Sequence, residues 1–390
     1  LAAEILWIVG MNQIIKIMIL NSSFHIGGAE FVIKNLSDHL DNCNFDVVLF
    51  YLKEIGSVGE ELAEAGANVQ GIISSKSRIK NYLKFISLYK FLKHNKIKVV
   101  HTHDVHSLVN AVMCKIIYLF SAQRLNIAHT FHYGNYPVFY KRRRYFLEKI
   151  FIRYADRLIA VGYLQKKKLI ATFGIKESGI GIIWNGIAEI RPHSPSQVVG
   201  RCLAKKDKVI IGTIGTLYEQ KGISYLIDVA FALKKMGYDC RFFIAGEGPL
   251  RNFLEDKRTK LDLEEEVVFL GWVKNASLVF LPHVDIYFQP SLWEAMSVVI
   301  IEAMMCAKPI VATRVGDNSL MIEDNKNGML VEPMDVSAMV SKLKQLIDDP
   351  EKRNYIGNMA RKKYECCFTA SRMAEEYERV YREVSGRRSI

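Results

Sequence analysis

The run Pro290-Ser-Leu-Trp-Glu-Ala-Met-Ser-Val-Val-Ile-Ile-Glu-Ala-Met-Met-Cys-Ala-Lys-Pro-Ile-Val-Ala-Thr313 decides how this chain is read, because it sets Glu294 and Glu302 eight positions apart. The apolar stretch Val284 to Phe288 before it predicts a buried strand, and Val298 to Met305 predicts a helix buried on most sides. Glu294 then falls in the turn between them and Glu302 inside the helix. A carboxylate in a hydrophobic helix is costly unless something hydrogen-bonds to it, so Glu302 needs a protein partner or a bound ligand. Free backbone N–H groups at the helix start, between the two glutamates, favour an anion such as phosphate. One short element could hold two hydroxylated groups around a phosphate, the layout of a nucleotide sugar. A capped helix with one structural glutamate fits the spacing equally well.

Outward from this run, short β-branched stretches alternate with longer amphipathic ones, the pattern of βαβ units and parallel sheets. In the first half the strand candidates are Ile14 to Leu20, Asp46 to Leu52, Asn68 to Ile73, Lys98 to His101, Asn126 to Thr130, Arg157 to Val161 and Gly181 to Trp184. The pattern lapses between Ile187 and Asp207, where two prolines and small polar residues suggest a linker. A second series follows: Lys208 to Ile214, Arg241 to Ala245, Val267 to Leu270, Asp285 to Phe288, Ile310 to Ala312 and Met329 to Val331. Helices are expected at Val336 to Ile347 and Ser371 to Val384. The simplest reading is an α/β protein of two similar domains with a cleft between them, ligands binding at the carboxyl ends of strands.

The chain has 390 residues, half of them hydrophobic, enough for two sizeable cores. Its seven cysteines, with no Cys-x-x-Cys, argue against a disulfide framework or zinc site and fit a reducing cytoplasm. No stretch reaches the ~18 to 20 apolar residues of a spanning helix. Residues Leu1 to Gly10 precede the first methionine, Met11, and lack signal-peptide features. The net charge of +12 is uneven, with +11 over residues 1–195 and +1 over 196–390. That basic half could face nucleic acid, anionic lipid or an acidic substrate. Basic residues interleave with aromatics in Arg78 to Lys93 and in Pro137 to Phe151, which includes Lys141-Arg-Arg-Arg144. Such helices suit an anionic membrane surface or serve as a solvated outer face. No recognised nucleic-acid module accompanies the charge.

Several loops after strands could carry chemistry. Gly27 and Gly28 open a helix after the first strand and allow close approach to a phosphate, or form an ordinary tight turn. Gly215-Thr-Leu-Tyr-Glu-Gln-Lys-Gly222 places Lys221 at a helix start, as a point charge for a diphosphate or as a solvated lysine. Gly246 in Ile244-Ala-Gly-Glu-Gly-Pro249 would let a nucleotide approach, with Pro249 beginning the next helix. His101-Thr-His-Asp-Val-His106 and His129-Thr-Phe-His132 each follow a strand. They match no strong metal motif and are expected to hydrogen-bond in a cleft wall, His132 nearest the sugar.

Together these pieces resemble the family-4 retaining glycosyltransferases of the GT-B fold, over roughly Ile14 to Val384. The likeness rests on Gly27-Gly-Ala-Glu30, the histidine-bearing strand ends, Asp156 in Ala155 to Val161, Trp184-Asn-Gly-Ile187, Lys221-Gly222, Ala245-Gly-Glu-Gly-Pro249 and Glu294 to Glu302. It implies two Rossmann-like domains of parallel sheets facing a central cleft. Residues 1–13 would be an N-terminal extension, 14–187 the acceptor-side domain, 188–207 the linker and 208–367 the donor-side domain. Residues 368–390 would be a C-terminal helix packing back on the first domain. Glu302 would bind the donor ribose, Glu294 the donor sugar and Lys221 the diphosphate. Backbone around Ala295, Met296, Ser297 and Val298 would hold sugar and phosphate. His132 would line the sugar site, and Gly27 and Gly28 would lie against donor or acceptor. His132, Glu294 and Lys221 would be the catalytic set, with Thr216 and Gly246 completing donor binding. The resemblance implies no metal or other cofactor and a glycan or lipid-linked acceptor, while the cysteine usage and the basic, aromatic-edged stretches lead to an expected cytoplasmic place, peripheral on the inner membrane face, with no nucleic acid.

Three departures stand out. Thr216 replaces an arginine usual in the family, Ala295 and Ser297 replace frequent glycines, and Gly316-Asp-Asn-Ser-Leu320 lacks a usual glutamate. A hydrolysing nucleotide-sugar epimerase, which would release free sugar, and a donor binder without turnover are the alternatives on the same architecture.

Overall fold

The computed structural model describes residues 14–25, 27–73, 84–121, 123–134, 142–189, 200 and 208–386. Residues 1–13, 190–199 and 201–207 of the expected extension and linker lie outside them, as do 78–83 and Lys141 of the basic stretches. The chain divides into one compact unit made of Leu1–Gly186 with Ala370–Ile390, and a second made of Ile187–Thr369.

In the first unit the β-branched runs become β1 (Ile15–Ser23), β2 (Phe45–Glu54), β3 (Val69–Gly71), β4 (Val99–Thr102), β5 (Asn126–Phe131), β6 (Arg157–Ala160) and β7 (Ile180–Ile182). They form one parallel sheet in the order β3-β2-β1-β4-β5-β6-β7. Met18, Leu20, Val100, Ile127 and Leu158 are buried with Leu108 and Val112 of the covering helix Val105–Tyr118. Continuous apolar strands are what a sheet covered on both faces requires.

The helix Ala370–Val384 completes this unit although it comes from the far end of the chain. Met373, Ala374, Tyr377, Val380 and Tyr381 share its buried face, at helical spacing. The Tyr381 hydroxyl lies 2.7 Å from His101 Nδ1, and Glu378 accepts the Asp41 N–H at 2.9 Å.

The second unit holds β8 (Val209–Ile214), β9 (Cys240–Ala245), β10 (Val267–Gly271), β11 (Ile286–Gln289), β12 (Ile310–Thr313) and β13 (Met329–Val331). Their order is β10-β9-β8-β11-β12-β13, all parallel. Ile211, Phe242, Ile244, Ile286 and Phe288 pack with Leu226 and Ile227 of the helix Ile223–Lys235 and Leu343 of the helix Val336–Asp348. The helix Val298–Met305 buries Ile300, Ile301, Ala303, Met304 and Met305. It stops where Ala307 turns to φ 53°. The helix Pro350–Cys367 then passes so close that a Cβ on Gly357 would stand 2.2 Å from the Ala307 carbonyl oxygen.

Each sheet reverses its strand order once, between β1 and β4 in the first and between β8 and β11 in the second. At such a point the flanking loops diverge and leave a crevice at the carboxyl ends of the strands. One expectation needs correction here. Pro249 does not begin a helix; the helix runs Arg251–Lys260. Leu250, at φ −86° and ψ 4°, is outside helical geometry, and the Arg251 N–H closes a turn onto the Gly248 carbonyl at 3.1 Å.

Candidate active site

At the reversal point of the second sheet, the loop after β8 meets the loop after β11. Gly222 makes this possible: it sits at φ 62°, and a Cβ there would lie 2.0 Å from the Pro290 carbonyl oxygen. The Leu292 N–H donates to the Gln220 carbonyl at 2.7 Å, and Gln220 Nε2 donates to the Trp293 carbonyl at 3.0 Å. Two neighbouring loops close in similarly. A Cβ on Gly246 would stand 1.9 Å from the Gly215 carbonyl oxygen, and one on Gly316, at φ 50°, would stand 2.5 Å from that of Glu294.

This packing delivers Lys221 Nζ to within 2.6 Å of Glu294 Oε1. Ser291 Oγ at 2.9 Å and Gln289 Nε2 at 3.2 Å donate to the same oxygen, while Gln220 Nε2 reaches Oε2 at 3.3 Å. Glu294 is buried, and several donors together offset its desolvation. Gln289 links the cluster further, its Oε1 accepting from Ser297 Oγ at 3.0 Å and from the Tyr287 hydroxyl at 3.3 Å. Burial, with the Glu302 and Glu294 carboxylates adding to it, holds the Tyr287 phenol well above its ordinary pKa.

Lys221 was expected at a helix start. It instead closes the one-turn 3₁₀ helix Glu219–Lys221, with Gly222 capping the helix after it. Ser297 precedes the helix Val298–Met305, yet its hydroxyl goes to Gln289 rather than capping the helix. Ala295 and Met296 are buried with it, Val298 is half-buried and Thr216 is exposed. Glu302 packs into the same unit with part of its side chain accessible. Burial pushes its carboxyl up to about 7 against the opposing pull of a Ser277 hydrogen bond. Ser277 is thus a protein partner of the kind a carboxylate in an apolar helix requires.

The first unit holds His132, Gly27 and Gly28. Gly27 is extended, and a Cβ on it would meet Glu30 Oε2 at 2.4 Å, whereas Gly28 has open space. Across this sheet's reversal point the Ser22 N–H donates to Asp104 Oδ2 at 2.6 Å. The histidines do not form one row after their strands. His101 and His129 lie inside β4 and β5 and are buried in the sheet, with Thr130 and Thr102 as partners at 2.8 Å. His103 and His132 follow the strands and lie 2.8 Å apart, Nδ1 to Nε2. Among the described residues no group of three or more His, Cys, Asp or Glu is arranged to hold a metal ion. No described helix is long and apolar enough to cross a membrane.

Comparison with known proteins decides the family. The profile described as Glycosyltransferase Family 4 matches residues 26–189, and that described as Glycosyl transferases group 1 matches residues 201–363. The chain belongs to the group 1 glycosyltransferases of family 4. This glycosyltransferase is 27% identical over 335 residues to the UDP-Gal:alpha-D-GlcNAc-diphosphoundecaprenol alpha-1,3-galactosyltransferase of Escherichia coli, covering 80% of this chain and 82% of that protein. It is 30% identical over 182 residues to the alpha-D-kanosaminyltransferase of Streptomyces kanamyceticus, about half the length of each (46%). Its fold matches the crystal structure of Anabaena Alr3699/HepE in complex with UDP-glucose, at TM-score 0.81 and 19% identity over 94% of this chain and 99% of that one. The fold is therefore GT-B.

Four residues of this cluster escaped the sequence reading: Gln220, Tyr287, Gln289 and Ser291. A signal was available for three of them, since Gln289 is the polar end of an apolar strand, Ser291 follows it and Gln220 adjoins Lys221.

Proposed function

We propose that this glycosyltransferase is a retaining, hexosyltransferase-type enzyme that moves a sugar from a nucleoside diphosphate sugar to a glycan or lipid-linked acceptor. The observation that carries the reading is the Lys221–Glu294 cluster at the reversal point of the second sheet. A diphosphate at Lys221 would exchange one anionic partner of the lysine for another, and Glu294 would turn toward sugar hydroxyls. Glu302 would accept from ribose hydroxyls. Backbone of Ala295, Met296, Ser297 and Val298, at the start of a helix, would carry phosphate and sugar. Gly246 and Thr216 would border the same ligand.

In the reaction the bond from C1 to the diphosphate oxygen breaks, leaving an oxocarbenium-like sugar. The acceptor oxygen attacks on the same face, and its proton passes to the departing phosphate oxygen. Lys221 stabilises the charge that develops on that oxygen. Such a cation does the electrostatic work for which other enzymes use a divalent ion, so the proposal includes turnover in the presence of a chelator. From the first unit, His132 is proposed to meet the sugar, and Gly27 and Gly28 the donor or acceptor. The E. coli relative, whose name specifies a diphosphoundecaprenol acceptor, supports a lipid-linked substrate, and a 26% identity over 253 residues to the capsular polysaccharide biosynthesis glycosyltransferase CapM of Staphylococcus aureus supports a role in bacterial-type surface polysaccharide synthesis.

The proposed location is cytoplasmic and peripheral on the inner membrane face. The helices Lys84–His94 and Arg142–Phe151 support it, with exposed Ile86, Phe146 and Ile150 beside their basic residues. Calorimetry with a panel of nucleotide sugars tests the donor site. Unchanged binding in Glu302→Ala refutes the assignment of Glu302. The anomeric configuration of the product, read by NMR, tests retention. Failure to sediment with anionic vesicles at low salt removes the membrane claim.

A further inference from the structure

We infer that His103 is a positioning residue that holds His132 in its Nδ1–H tautomer, so that His132 presents a neutral hydrogen-bond donor to an oxygen of the bound substrate. The second half of this statement rests on the reading of His132 as a sugar-facing residue. The first half stands on the contact between the two rings and on their burial.

His103 follows β4 and His132 follows β5, strands paired in parallel with Thr102 opposite His129. The two imidazoles face each other at 22° between planes, with His103 Nδ1 2.8 Å from His132 Nε2. Burial holds both neutral: His103 well below its ordinary pKa, and His132 down to about 4, with His129 adding to the shift and Asp104 opposing it. Two neutral rings in nitrogen-to-nitrogen contact share one proton, and it can belong to either.

If that proton belongs to His132 Nε2, the proton of His103 must sit on its own Nε2. That nitrogen is buried and has no hydrogen-bond partner among the described residues. A buried N–H with nothing to donate to is rarer in folded proteins than an unused acceptor, because stripping water from a donor is poorly compensated. The alternative leaves only a bare lone pair on His103 Nε2. The proton in the contact therefore belongs to His103 Nδ1, His132 Nε2 accepts it, and the proton of His132 is left on Nδ1. Among the described residues His132 has no other hydrogen-bond partner, so this N–H is available to a ligand.

His103 is itself held from behind. The His101 ring packs 4.0 Å from it, centroid to centroid, and is tied to Tyr381 at 2.7 Å and Thr130 at 2.8 Å. Thr130 in turn meets the Tyr377 hydroxyl at 3.1 Å. A neutral donor of this kind suits a hydroxyl or ring oxygen of a sugar, whose lone pairs need a direction rather than a charge.

The test is the nitrogen-15 imidazole spectrum of the full-length protein, wild type beside His103→Asn and His103→Leu. Asparagine can place an amide N–H where His103 Nδ1 stood, whereas leucine cannot. The expected result is His132 as Nδ1–H in wild type and His103→Asn, and a mixture or the Nε2–H form in His103→Leu. In turnover with UDP-glucose and UDP-galactose as probe donors, His103→Leu is expected to lower kcat by about tenfold with little change in KM, and His103→Asn to recover most of it. A wild-type His132 protonated at Nε2, or an unchanged tautomer in His103→Leu, overturns the assignment without reference to turnover. If the tautomers behave as expected but His132→Ala transfers sugar at the wild-type rate, the positioning stands and the proposed role of His132 fails.

Discussion

Lys221 Nζ and Glu294 Oε1 lie 2.6 Å apart across the line where the second sheet reverses its strand order. Neither is fully free of solvent, but both side chains are well covered, with 17% and 7% of their surface exposed. The pair stores a cation and an anion in the crevice where this topology places ligands.

Breaking that pair affects stability and turnover differently. Lys221→Ala leaves Glu294 with Ser291, Gln289 and Gln220 as donors, so the expected loss of stability is about 1–3 kcal/mol. The loss of turnover is expected to be larger, about 10²–10³-fold, because the proposed role of the lysine is on charge that appears in the transition state. Urea unfolding together with initial rates checks both, and a variant that loses stability but keeps its rate would remove Lys221 from the chemistry.

Glu302 makes stability depend on pH. Its carboxyl is raised to about 7 from an ordinary 4.5. Between these values the folded protein keeps a proton that the unfolded chain has released, so its contribution is full below the lower value and declines as pH rises to the upper one. Glu302→Gln is expected to lose that decline. Unfolding curves at pH 5 and pH 8 for both proteins give the answer; equal slopes would show that Glu302 is not the group responsible.

Gly222 and Gly174 separate strain from collision. Both are left-handed, at φ 62° and 68°, but a Cβ on Gly174 meets nothing within 4 Å while one on Gly222 meets the Pro290 carbonyl. Gly174→Ala is expected to cost about 1–2 kcal/mol for the backbone alone. Gly222→Ala should cost more and weaken donor binding as well, because the Pro290 loop carries Glu294. Denaturant midpoints and calorimetry on the two variants compare them directly.

Tyr381→Phe removes the hydroxyl from His101 Nδ1 and leaves a fully buried ring nitrogen without its partner. The expected cost is about 1–2 kcal/mol. A midpoint unchanged in chemical denaturation would mean that water replaces the hydroxyl there.

The strands were legible because apolar runs and turn residues report burial directly, and the helix Val298–Met305 has the expected bounds. The pairing of Lys221 with Glu294 was not legible. They are 73 positions apart, and only the strand order of the sheet puts their loops side by side. The same holds for His103 and His132, whose contact comes from the pairing of β4 with β5. The start of the helix after β9 was misplaced because proline reports its own φ but not the backbone of the residue after it, and Leu250 at φ −86° and ψ 4° is not yet helical. The relation of Gly222 to Pro290 was equally hidden, since a glycine in sequence states its freedom and not what stands beside it.

The helix Ala370–Val384 belongs to the unit whose strands begin at Ile15. On a ribosome, the second unit, continuous from Ile187 to Thr369, has its whole sequence emerged before that helix is made. Until then His101 and Thr130 wait without their tyrosines. The first sheet to be synthesised is thus the last to be finished, and a nascent chain halted after Thr369 would carry a completed second unit beside an unfinished first.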